Sequence, residues 1–129
     1  MPPIANLQRL PIYNLEALER QGIFTTGLLL EVSETPTRRQ YLADQIGATT
    51  NDVNEWRDEA LLLNLANFGT AEQPLFTQGG ITGLSQVLAL DLPDFSDRLA
   101  RAARSLGVEP PTDLILGGWW EQAHTLAEE

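Results

Sequence analysis

Apolar residues recur along the chain at spacings of three and four. Glycine, threonine and proline interrupt them at short intervals, a pattern that predicts a succession of short helices. Ile4, Leu7 and Leu10 fall at i, i+3 and i+6 and predict a first helix that Pro11 breaks. Asn14 is placed to cap a second, bearing Leu15 and Leu18 and ending at Gly22; Thr25 or Thr26 caps a third, from Leu28 to Val32. Thr35-Pro36 sets a capping hydroxyl before a proline at the first helical position, where its missing N–H removes no bond. That helix carries Tyr41, Leu42 and Ile46 and stops at Gly47. Thr49, with Asp52 three residues on, opens the next, where Val53, Trp56, Ala60 and Leu63 form one apolar stripe. No alternating run of valine, isoleucine and threonine is long enough to predict a strand.

From Leu65 the order begins again. Setting Leu7 on Leu65 aligns Leu10 with Phe68, Leu18 with Phe76, and Gly22-Ile23 with Gly80-Ile81. Further on, Pro36 answers to Pro93, Ile46-Gly47 to Leu106-Gly107, and Trp56 to Trp120. The ordered series predicts an internal duplication, approximately 4–60 and 62–127. Each half alone is too small for a secure core, so both are expected to share one body, a single domain spanning 1–129.

Composition narrows the chemistry. A hydrophobic share of 43% with 20% charged residues is that of an ordinary globular domain. All 8 cations are arginine, there is no cysteine, and His124 is the single histidine. A lysine-dependent P-loop, a Schiff base, thiol catalysis and a disulfide framework are thereby excluded, and one imidazole does not make a zinc site. The formal charge of −10 argues against nonspecific nucleic-acid binding and against an anionic membrane surface. No apolar run approaches the ~20 residues of a membrane span, and Met1-Pro2-Pro3-Ile4 lacks the basic start of a signal peptide. A cytoplasmic protein is the expectation.

The order of apolar pair, tight turn, short helix, Gly-Ile and threonine-capped short helix resembles the helix-hairpin-helix and SAM-like superfamily. Leu7 to Tyr13 stands where that pattern has a glycine-hydrophobic-glycine hairpin. The series Thr35-Pro36-Thr37-Arg38-Arg39, Leu42, Ile46-Gly47 and Val53-Asn54-Glu55-Trp56 more specifically resembles a bacterial domain-of-unknown-function family built from tandem helix-hairpin-helix-like units. The resemblance spans nearly the whole chain. It implies an all-α fold of two such units packed into one compact helical domain. DNA-binding members of the superfamily point hairpin amides at a phosphate, and glycines allow the close approach. Here Leu10-Pro11-Ile12 has no glycine. Phe68-Gly69-Thr70 keeps one, but Ala71-Glu72 follows, setting a carboxylate where phosphate would sit.

Among candidate residues, Arg98, Arg101 and Arg104 share one helix face and could contact an acidic partner or a phosphate. The alternative is a solvated face, with Asp94 and Asp97 paired to Arg98 and Arg101 and Arg104 the least neutralised. Asp91, Asp94 and Asp97 read as helix-start acids rather than a cation site. If Trp120 is the core counterpart of Trp56, Trp119 beside Gly117-Gly118 is exposed and is a natural anchor for a partner; the alternative packs both rings inside. Asp58-Glu59 lacks any accompanying nucleophile, and His124 reads as a surface residue. The expectation is a non-enzymatic interaction or assembly module, without cofactor or metal, that binds another protein or itself through helix faces, Trp119 and the three arginines. The alternative, resting on the resemblance, is a nucleic-acid-associated helix-hairpin-helix module.

Overall fold

The computed structural model describes residues 2–128. The chain divides into two units, Met1–Asn64 and Leu65–Glu129. The first holds a 3-10 turn, Ile4–Asn6, and four helices: α1 (Ile12–Arg20), α2 (Thr26–Val32), α3 (Pro36–Ile46) and α4 (Thr50–Leu63). The second holds α5 (Glu72–Gln78), α6 (Leu84–Leu88), α7 (Leu92–Leu106) and α8 (Asp113–Glu128). Among the described residues there is no strand, only an isolated antiparallel bridge between Pro3 and Thr25.

That bridge explains the first departure from the sequence pattern. Ile4, Leu7 and Leu10 are all buried, yet they do not share a helix. The Ile4 N–H donates to the Phe24 carbonyl at 3.0 Å and the Thr26 N–H to the Pro2 carbonyl at 2.9 Å. Consecutive prolines favour this extended backbone, so tertiary pairing displaces the helix. The second departure is at α1, which begins at Ile12 behind Pro11, two residues before the expected cap at Asn14.

The other signals act as local chemistry dictates. Thr25, Thr35 and Thr49 each accept the N–H three residues on, and Asp52 returns a bond to Thr49 N–H at 3.0 Å to complete a capping box. Asp91 does the same for α7, accepting from Asp94 N–H at 2.8 Å. Gly22 and Gly80 adopt φ of +82° and +76°, a left-handed turn that only glycine takes without strain. Each turn lets the next residue reverse direction: Ile23 N–H donates to Leu18 O and Ile81 N–H to Phe76 O, and both isoleucines are buried.

In the first unit α4 is the spine. Val53, Trp56, Ala60 and Leu63 are buried as the stripe predicts, and α2 and α3 pack on them. In the second, α6 and α7 pack on α8 and α5 packs on α7. Phe76 centres that core, edge-on to Phe68 at 4.8 Å, Trp119 at 5.1 Å and Phe95 at 5.9 Å.

Helix α8 contains Gly117 and Gly118, and a Cβ built at either meets nothing within 4 Å. Glycine inside a helix costs about 1 kcal/mol relative to alanine. Gly118→Ala is therefore expected to stabilise the protein by roughly that amount, read as a higher midpoint in thermal unfolding. An unchanged or lower midpoint would mean that the pair holds a backbone approach the geometry does not reveal.

Candidate functional site

The loop from Leu7 to Pro11 presents two successive backbone amides, and a carboxylate of its own chain meets them. Glu59, on α4, is 2% exposed. Its Oε2 accepts Gln8 N–H at 2.7 Å and its Oε1 accepts Arg9 N–H at 2.8 Å. These short, charge-assisted bonds reconcile a buried carboxylate with its apolar surroundings. The loop is thereby an anion cradle filled from within. Arg9 then reaches across α4, donating to Glu55 at 3.1 Å and Asp58 at 2.9 Å. Sequence reasoning passed over Glu59 as one of two adjacent acids. The signal was present: Glu59 lies three residues past Trp56, on the apolar stripe, where an acid requires a buried partner.

In the second unit a neutral group meets a loop amide. Gln122 Oε1 accepts Ala66 N–H at 2.9 Å. Ala66 stands 58 residues after Gln8, and Gln122 stands 63 after Glu59, three of the five extra residues falling in the α7–α8 connection. The same spacing of 63 carries Thr49 to Thr112, the residue before α8, and Trp56 to Trp119. The exposed-anchor expectation for Trp119 is thus corrected. Trp119, not Trp120, takes the core place of Trp56: it is 3% exposed, and its indole N–H donates to Ala66 O at 2.9 Å. The expected pairing was one residue out because Trp119 and Trp120 are adjacent and apolar matching does not choose between them. Trp120 is partly exposed and donates to Leu90 O at 2.9 Å, past the end of α6. In the first unit Arg57 plays that part at the end of α2, bonding Leu30 O at 2.9 Å and Ser33 Oγ at 2.7 Å. Burial holds the Arg57 guanidinium below the usual arginine pKa; Arg39 adds to the shift and Glu34 opposes it. His124 is half-buried rather than a free surface residue, its ring 4.0 Å from that of Trp120 and its Nδ1 2.8 Å from Trp120 O.

Arg98, Arg101 and Arg104 are all exposed on α7. Arg101 pairs with Asp97 at 2.9 Å, whereas Arg98 and Arg104 have no ion pair among the described residues. Asp91 serves as the α7 cap. Among the described residues no group of three or more His, Asp or Glu side chains could hold a metal ion, and no helix is long and apolar enough to cross a membrane.

The second unit carries an open groove of about 940 Å³. Its floor is Phe68, Leu75 and Trp119; Leu106, Val108 and Ile115 form apolar walls, with Glu72 and Glu109 among its lining. Ligand-sized sites run to roughly 300–1,000 Å³. The first unit carries a groove of about 500 Å³, lined by Arg9, Pro11, Asn14, Asp52, Glu55 and Trp56. Transferred by the same spacings, five of those six places (Asn67, Gly69, Glu72, Ile115 and Trp119) line the larger groove. Sequence reasoning missed it, because a groove needs residues from three separated segments and no local pattern joins them.

Residues 13–126 match the family model described as "Domain of unknown function (DUF4332)". No curated protein matches, and no solved structure matches.

Proposed function

Since this chain belongs to the DUF4332 family, whose description assigns no activity, we propose its role from its own residues: it is a non-enzymatic module that binds another protein. The observation that carries this is a division of labour between polar and apolar groups. The loop amides of Gln8, Arg9 and Ala66 and the indoles of Trp119 and Trp120 are bonded within the chain. Meanwhile Val108 is 53% exposed, Leu106 41% and Ile115 37%, and all three line the apolar groove. Exposed apolar residues gathered at a groove mark an interaction site better than any polar group here marks a reaction. We further read the two units as two copies of one helix-hairpin-helix-like plan, in which the hairpin amides face a side chain of the same unit instead of a phosphate. The shared Gly-Ile turns, capping threonines and buried tryptophans support that reading, and Arg98 and Arg104 are then available for an acidic stretch of the partner.

The test is affinity capture from native cells with the tagged full chain, Val108→Asp and Tyr41→Ser. Both substituted residues are exposed, so neither change should unfold the protein. A partner recovered with the parent and Tyr41→Ser, but at least tenfold less with Val108→Asp, is the expected result. Equal recovery across all three would overturn it. Mixed DNA and RNA at low salt should give no electrophoretic shift; a shift that fades steeply with added salt would put the nucleic-acid reading in its place.

A further inference from the structure

We infer that the groove of the second unit takes a partner segment that combines apolar side chains with an arginine or lysine. The inference rests on the interaction reading above and adds the chemical class of what binds. It starts from the two grooves, one in each unit. In the first unit a cation lines the groove: Arg9, its guanidinium held by Glu55 and Asp58. In the second unit the place of Arg9 is taken by Asn67, whose side chain is shorter and uncharged, and the place of Asp52 by Ile115. Gly118 replaces Glu55, removing a side chain altogether, while Glu121 keeps the acid of Asp58. The lining cation is gone, the groove is nearly twice as large, and its walls are apolar.

Its charge has one sign. Glu72 and Glu109 line the groove, neither has an ion pair among the described residues, and no arginine lines it. A chain with a formal charge of −10 adds to that field. An acidic segment would be repelled, and a neutral one would leave two carboxylates desolvated without a partner. A second copy of this chain meets the same repulsion. A basic apolar segment satisfies both the walls and the rim, as Arg9 satisfies Glu55 and Asp58 within the first unit.

A library of random twelve-residue peptides displayed on phage, selected on the full chain, tests this. Enriched peptides are expected to pair two or more apolar residues with at least one arginine or lysine. Synthesised singly, they should bind Val108→Asp at least tenfold more weakly. Their affinity should also fall several-fold between 50 and 500 mM salt, since rim charges are screened. Selection on Glu72→Arg/Glu109→Arg should shift the enriched peptides towards acidic residues. Groove-dependent peptides that are neutral or acidic on the parent chain would overturn the charge class while leaving the interaction reading intact. Peptides that bind Val108→Asp undiminished, or none enriched at all, would overturn the groove as the site, and the capture experiment then decides the reading by itself. A dimer in sedimentation equilibrium that Val108→Asp dissociates would replace the basic segment with a second copy.

Discussion

Glu59→Ala is expected to destabilise the protein by about 3 kcal/mol or more, a large effect for a residue without an obvious ion-pair role. The substitution removes the acceptor from two part-buried amides, Gln8 N–H and Arg9 N–H, that face the buried Glu59 side chain. Each buried donor left without a partner costs roughly 1–3 kcal/mol, and the vacated volume adds to that. Glu59→Gln separates the contributions. Its single carbonyl oxygen can serve one amide, as Gln122 serves Ala66 in the second unit, while its NH2 group meets the other amide donor to donor. A loss of about 1–2 kcal/mol is expected. Urea unfolding gives the free energies, and hydrogen exchange at Gln8 and Arg9 gives the location. Fast exchange at both in Glu59→Ala and at one in Glu59→Gln is the expected pattern. An alanine variant as stable as the parent would show that the loop finds other acceptors and that the buried carboxylate is incidental.

Trp119→Ala is expected to cost about 4 kcal/mol. It empties the place against Phe68 and Phe76 and leaves Ala66 O without its indole donor. Trp119→Phe keeps a ring in the aromatic cluster and loses the hydrogen bond and part of the volume, so about 1–2 kcal/mol is expected. Circular dichroism through a urea titration measures both. A near-neutral alanine variant would return Trp119 to the surface role that the sequence suggested. The result also bears on partner binding, because an alanine here damages the groove floor and the fold together; Val108→Asp is the cleaner probe.

Helix boundaries were legible wherever a local signal fixed them. Thr35-Pro36, Thr49 with Asp52, and the glycines after α1 and α3 act through bonds spanning three to five residues, so they read the same in any context. The buried stripe of α4 was legible for the same reason. What failed was fixed from a distance. Ile4 to Leu10 has helical spacing, but its backbone pairs with Phe24 and Thr26. Which of the adjacent Trp119 and Trp120 is buried depended on the length of a connection, which apolar matching in a leucine-rich chain cannot resolve. The solvated-face reading paired Arg98 with Asp94, and among the described residues they form no ion pair, because exposed side chains on one helix gain little by meeting. The family resemblance rested on packing residues and agreed with the all-helical fold and the matched domain of unknown function. It could not indicate the groove, whose character comes from places where the second unit departs from the first.

The hydrogen bonds that Gln8 N–H donates to Glu59 and Ala66 N–H donates to Gln122 also set an order of events. In each unit they join the opening loop to the closing helix, across about fifty residues or more. A contact of that span forms late, because a long loop must close before it gains anything. During synthesis the N-terminal loop of each unit therefore waits, amides hydrated, until the final helix has left the ribosome and docked. Trimming a unit from either end is accordingly expected to release the other.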